Sequence, residues 1–222
     1  MSESAHVEKF NEYVTIRIEM DSDPFNPRTE NDNAGKMVCW HSRYTLGDEQ
    51  PKDSPTEYRI GMAGEAIGHD RVAAHIERLD KRAEKILSDS GSESDLVSGY
   101  IGRVLTDYYI ILPLYLYDHS GITMRTSAFS CPWDSGQVGF IYISKAEAIK
   151  EWGKVLPGIG LHNGRFTKQV HEKAVKYLVA SVAEYDDYLT GNCYGYVIET
   201  DQDDHAESCW GFIGDYDSEN GC

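Results

Sequence analysis

Four side chains lying between two apolar runs have the types that catalysis or metal binding requires. Asp118 and His119 follow the run 108–117, and Cys131 and Asp134 precede the run 139–143. Asp118, His119 and Asp134 together are a ligand set suited to a divalent metal. Cys131 with a histidine base is the nucleophile pair of a cysteine-dependent hydrolase. Either chemistry needs convergence: ligands at one point, or a thiol within hydrogen-bond reach of an imidazole. The same residues also make a structural turn, with Asp118 opening an Asx-type bend, Cys131 buried beside Pro132 and Trp133, and Asp134 capping the bend at Gly136. Both readings stay open. Because the flanking runs are consecutive strands, which most often pair, Asp118 and Asp134 are expected close together at one end of a sheet.

Cys39-x-His41 followed by Asp48 is a second cluster, since residues two apart on a strand point the same way. It supplies too few ligands for a metal, and a satisfied core pair is the simpler expectation. The Asp21-Ser22-Asp23 start of a calcium loop is broken by Pro24. No phosphate-binding loop, dinucleotide fingerprint or G-x-S-x-G elbow occurs. The five cysteines, Cys39, Cys131, Cys193, Cys209 and Cys222, include no C-x-x-C pair, so reduced thiols are expected rather than a zinc site.

The elements that must position these groups read as α+β: a mainly antiparallel sheet packed against one long C-terminal helix, in a single domain spanning 1–222. Residues 12–20 alternate as a half-buried strand, 21–33 are loop, and 37–44 form a strand ending at the Leu46-Gly47-Asp48 turn. Residues 54–68 read as irregular. Val72, Ile76, Leu79, Ala83 and Ile86 mark a helix over 70–87, with Glu77 and Lys81 paired on its outer face. The composition of 88–95 is that of a mobile linker, so 54–95 reads as a peripheral helical insertion. In the run 108–117, Ile110, Leu112, Leu114 and Leu116 share a core face, while Tyr109, Tyr115 and Tyr117 share the other. That tyrosine face either packs under the long helix or stays partly open, where it could bind a ligand. Pro113 calls for an edge or a bulge. Ser144 and Glu147 have capping-box spacing for a short helix stopped at Gly153, and 157–164 is a glycine-rich turn. A long helix follows over 167–189. Last comes a hairpin, 193–199 with 208–214, around an acidic loop at 200–207. With Glu199 facing Ser208, Trp210 would be buried opposite Val197, Phe212 would cover Gly195, and Cys193 and Cys209 would be kept from pairing.

Charge narrows the function. The chain of 222 residues carries 21 Lys and Arg against 37 Asp and Glu, a net charge of −16. This disfavours direct binding to nucleic acid or to an anionic membrane. No run approaches the length of a membrane span and the N-terminus lacks a secretory apolar stretch, so a cytoplasmic protein is expected. Residues 181–222 hold eleven acidic groups and no Lys or Arg. Asp201, Asp203, Asp204, Glu207, Asp215 and Asp217 among them are either a solvated face or a surface that attracts a basic partner.

The strings DNAGKMVCWHSRYTLGDE (32–49), ILPLYLYDHSG (111–121), FSCPWDSGQVGFIYIS (129–144), EYDDYLTGNCYGYVIE (184–199) and SCWGFIGD (208–215) resemble a family of small proteins carried by phages and other mobile elements. They cover about a third of the chain and span nearly its whole length, whereas 50–107 lies outside the resemblance. The family has no agreed activity, so no catalytic residue is carried over. The resemblance implies a mobile-element context, in which small acidic proteins often antagonise host defence nucleases by binding their DNA-contacting surfaces. The expectation is therefore a non-enzymatic accessory protein without a cofactor, acting in the host cytoplasm. It would bind a host protein, such as part of a restriction or CRISPR complex, as an acidic nucleic-acid mimic. The alternative is a small metal- or cysteine-dependent hydrolase using the 118–134 loop.

Overall fold

In a computed structural model describing residues 4–86, 93–153, 164–201 and 203–215, the strands sort into two four-stranded antiparallel sheets. The α+β class is as expected. The chain forms two compact units, one from Met1–Asn33, Leu114–Gln137 and Val179–Cys222, the other from Ala34–Pro113 and Val138–Leu178.

The first sheet lies wholly in the first unit. It takes β1 (Ser4–Lys9), β2 (Val14–Met20), β7 (Cys193–Thr200) and β8 (Asp203–Ile213), in the order β1-β2-β7-β8. β2 is the alternating strand read from sequence, and β1, too short and polar to stand out, extends it as a hairpin. The β2–β7 pairing sets Ile16 against Ile198 and Ile18 against Tyr196. In the β7–β8 hairpin Ser208 faces Val197, not Glu199, and Trp210 faces Gly195, not Val197. The expected acidic loop is largely strand. From Gly195 to Ile198 the register lies two residues from the expected one, which keeps those side chains on their faces, so hydrophobic patterning could not choose between the two; the ladder shifts again between Tyr194 and Gly195 and between Ile198 and Thr200. Gly195 is still covered by an aromatic ring, but the ring is that of Trp210, and at 43% exposure it is not the buried anchor expected. Gly211, at φ +91° in a bulge, lies against the Phe25 ring. Cys193 and Cys209 are free thiols.

The second sheet has the order β3-β6-β4-β5, from β3 (Lys36–Cys39), β4 (Tyr109–Asp118), β5 (Ile122–Arg125) and β6 (Ser135–Ser144). β3 is shorter than read, and β5 occupies what read as loop. Ile110, Leu114 and Leu116 are buried, as the aliphatic face of β4 required. β5 pairs only with Tyr115–Asp118, so Pro113 stands where that side of β4 has no β5 partner.

Three helices, α1 (Pro55–Ile67), α2 (His69–Ile86) and α3 (Glu93–Tyr108), build the core of the second unit with β3 and β6. Met62, Ala63, Val72, Ile101, Val104 and Leu105 are buried beside Val38 and Phe140. The reading of 54–68 as irregular is overturned. Ser54 caps α1 in a capping box with Glu57, and Pro55 fits the first turn, where its missing N–H costs nothing. Tyr109 packs in this cluster, its hydroxyl donating to Met62 O, rather than under the long helix. The Glu77–Lys81 pair forms at 2.6 Å. The short helix α4 (Lys145–Trp152) has the Ser144–Glu147 box and ends at Gly153. The long helix is α5 (Lys168–Thr190), with Val170, Ala174, Leu178, Val182 and Tyr185 buried. Of the expected linker at 88–95, residues 93–95 belong to α3 instead, while 88–92 and most of the turn at 157–164 lie outside the described residues.

Candidate functional site

The β4–β5 turn and the loop entering β6 bring three of the four candidate side chains together on one carboxylate. Asp118 N–H donates to Asp134 O at 2.8 Å, which zips the end of β4 to the start of β6. His119 sits in the turn, its N–H donating to Gly121 O, and Ser120 takes φ 59° to close the bend. His119 Nδ1 lies 3.5 Å from Asp134 Oδ2, and the Cys131 thiol lies 3.6 Å from the same oxygen. Asp134 is thus the hub, and Asp118 meets it through the backbone.

The loop is fixed from below. Arg125 stacks its guanidinium 3.9 Å from the Phe129 ring centre and donates to Ser127 O and Ala128 O. Phe129 in turn packs on Tyr117, and Tyr117 on His119. Trp133, expected beside a buried Cys131, is 92% exposed, and Cys131 itself is half-buried. A nucleophilic cysteine needs its base at the sulfur. Here the thiol donates to a carboxylate and the imidazole reaches that same carboxylate. As ligands, His119 and Asp134 are a pair, and among the described residues no group of three His, Cys, Asp or Glu could hold a metal ion.

The second cluster does not converge either. Cys39 is fully buried, and His41 stacks on Tyr44 while its Nδ1 accepts from the N–H groups of Arg43 and Tyr44. Asp48 accepts from Met37 N–H at 2.7 Å. Asp21 closes an Asx turn by accepting from Asp23 N–H. His41, Asp48 and Asp21 serve local backbone geometry, and Cys39 is part of the core.

The acidic residues lead to a different place. Asp201 N–H donates to Tyr13 O at 3.3 Å, so the β1–β2 turn and the β7–β8 turn share one end of the first sheet. Phe10 there is 73% exposed and Tyr13 60% exposed, with Glu12 and Asp201 also in solvent. Glu207 on β8 and Asp215 beyond it are exposed; Asp203 and Asp204 open β8, and Asp217 lies outside the described residues. Arg17, between them on β2, is already engaged by Glu19 and by Glu199 at 2.8 Å. The unit holding this sheet carries 4 Lys and Arg against 21 Asp and Glu, and the other carries 17 against 16, together making the chain's 21 and 37. The whole charge excess therefore belongs to one unit. Sequence reasoning missed Phe10 and Tyr13, because their nearness to Asp201 depends on β2 pairing with β7, some 180 residues away in sequence.

Comparison with family models, with characterised proteins and with solved structures finds no match to this chain.

Proposed function

We propose that the acidic unit binds a basic surface on a host protein, with the shared end of the β1-β2-β7-β8 sheet as the point of contact. The observation that supports this most is the concentration of the entire charge excess in that unit, beside exposed aromatic rings. Carboxylates with no basic counterpart steer a cationic partner, and ring faces such as those of Phe10 and Tyr13 receive arginine guanidinium groups. Aromatic anchors inside a charged rim are the usual make-up of a protein interface. The mobile-element context implied by the sequence resemblance gives this binding a purpose. The protein acts as an accessory factor of a phage or similar element, non-enzymatically, and occupies the DNA-contacting surface of a host defence nuclease as an acidic mimic. The hydrolase alternative draws less support from the loop at 118–134, since the Cys131 thiol faces a carboxylate and not an imidazole.

The test begins with isolation of a partner from the host and measurement of its affinity by calorimetry. Binding should weaken as salt rises and should be competed by duplex DNA. Changing Asp201, Asp203, Asp204 and Glu207 together to Lys should abolish it while leaving the thermal midpoint nearly unchanged, because surface charges such as those of exposed Asp201 and Glu207 contribute little to stability. Undiminished affinity in the quadruple variant would refute the reading.

A further inference from the structure

The second unit contains a feature of the opposite sign. On α2, Arg71, His75 and Arg78 recur at spacings of four and three and so share one face of the helix. α3 sets Tyr100, Val104, Asp107 and Tyr108 across from them, and the two faces border a groove of about 370 Å³. The His75 ring stacks on Tyr100 with centres 3.9 Å apart and planes 16° from parallel, which fixes the imidazole in the wall. Arg78 Nε donates to Ala74 O at 3.0 Å, which orients its guanidinium. Among the described residues neither Arg71 nor Arg78 forms an ion pair. In a chain with 37 acidic groups for 21 basic ones, Arg71 and Arg78 border one groove and, among the described residues, close no ion pair, although the charge of Arg78 also acts on exposed Glu77. The opposite side of α2 borders another groove, whose charged rim is Glu77 and Asp80. The helix thus sorts its charges by sign between two grooves.

We infer that the groove between α2 and α3 binds a phosphate monoester joined to a planar base, that is, a nucleoside monophosphate. Arg71 and Arg78 supply fork-shaped donors that match phosphate oxygens, and His75 stands between them. Tyr108, 46% exposed, offers an open ring face for the base, while Asp107 is an acceptor for an exocyclic amino group. Buried Val104 is the apolar floor. The volume is within the ordinary range for small-molecule sites, roughly 300–1,000 Å³.

The probe is adenosine 5′-monophosphate, titrated into the full-length protein by calorimetry and by amide-shift mapping. Saturable binding is expected, with shifts on α2 and α3. The double variant R71Q/R78Q should weaken it at least about tenfold, and adenosine should bind at least about tenfold more weakly than the monophosphate. Both arginines are exposed, so the variant should stay folded, which a melting curve checks. Independently of any variant, inorganic phosphate must displace the nucleotide competitively. Absence of binding at millimolar nucleotide, equal affinity for adenosine, undiminished affinity in R71Q/R78Q, or failure of phosphate to compete would each overturn the assignment.

Discussion

Gly139 is where one methyl group should do the most damage. It faces Cys39 in the β3–β6 ladder, and a Cβ built there would lie 2.9 Å from Cys39 Cα and 3.0 Å from the Val38 carbonyl carbon, with the Val38 oxygen nearer still. Carbon atoms at rest stand about 3.5–4.0 Å apart, so two backbone atoms must retreat by roughly half an ångström or more. Those atoms cannot rotate away as a side chain would. Val38 is fully buried in the core of its unit, Trp40 N–H donates to Val138 O at 2.7 Å, and Cys39 N–H donates to Glu49 O at 3.0 Å. Overpacking costs about 1–3 kcal/mol and each ladder bond lost about 0.5–1.5. Against this, alanine relieves the chain entropy of glycine by about 0.5–1 kcal/mol. With one ladder bond broken, Gly139→Ala should therefore lose about 0.5–4 kcal/mol, centred near 2, which at an m-value of about 2–3 kcal/mol/M lowers the urea midpoint by about 1 M. Gly136→Ala on the same strand and Gly99→Ala in α3 meet nothing within 4 Å. The first should be near neutral, and the second should gain up to about 1 kcal/mol. A Gly139→Ala midpoint indistinguishable from that of Gly136→Ala would refute the reasoning.

Asp186 on α5 accepts from the N–H of buried Met124 at 2.6 Å and from the Thr123 hydroxyl at 3.0 Å, so it satisfies the outer edge of β5. Asp186→Ala should cost about 1–3 kcal/mol in urea unfolding and Asp186→Asn less, whereas equal costs would deny the carboxylate this role. Burial, then the Asp21 and Asp187 carboxylates, push the Cys193 thiol up to about 11. At mildly alkaline pH a thiol reagent should modify Cys209 and Cys131 in the native protein but reach Cys193 and Cys39 only on unfolding, as mass spectrometry of labelled peptides would report. Burial, then the hydrogen bond with Tyr58, raises the Tyr142 hydroxyl above the usual tyrosine range. A folded-state value above the unfolded one of about 10 means stability intact below that pH and falling as pH rises beyond it. Tyr142→Phe should flatten that alkaline fall in a melting-temperature profile, and an unchanged slope would count against the assignment.

Local signals were legible where the chain states them within one turn. Ser144 with Glu147 marks α4, and the spacing of Val170, Ala174, Leu178, Val182 and Tyr185 marks α5. The same box at Ser54 and Glu57, with Pro55 inside it, was there to be read. Gly61 and Gly64 obscured it by breaking the apolar rhythm, and Gly64 is glycine because a Cβ would strike the His69 ring. Asp118 and Asp134 are close as expected, although the premise of consecutive strands fails, since β5 lies between β4 and β6 in the chain. The atoms that meet there were not legible, since a loop conformation decides whether a thiol faces an imidazole or a carboxylate. The hairpin register escaped because a shift of two residues preserves both faces. Nearer the turn the ladder shifts once more, to Thr200 opposite Asp203.

The pairing of β2 with β7 also sets a schedule for biosynthesis. Ile16 and Ile18 leave the ribosome long before Ile198 and Tyr196 exist. At about 5–20 residues per second the first hairpin waits roughly ten to forty seconds with its inner edge uncovered. Pairings this distant in sequence slow folding and leave nascent chains open to misassociation. The tip that carries Phe10, Tyr13 and Asp201 is therefore assembled last, and a ribosome-bound chain released short of β7 would have no such surface.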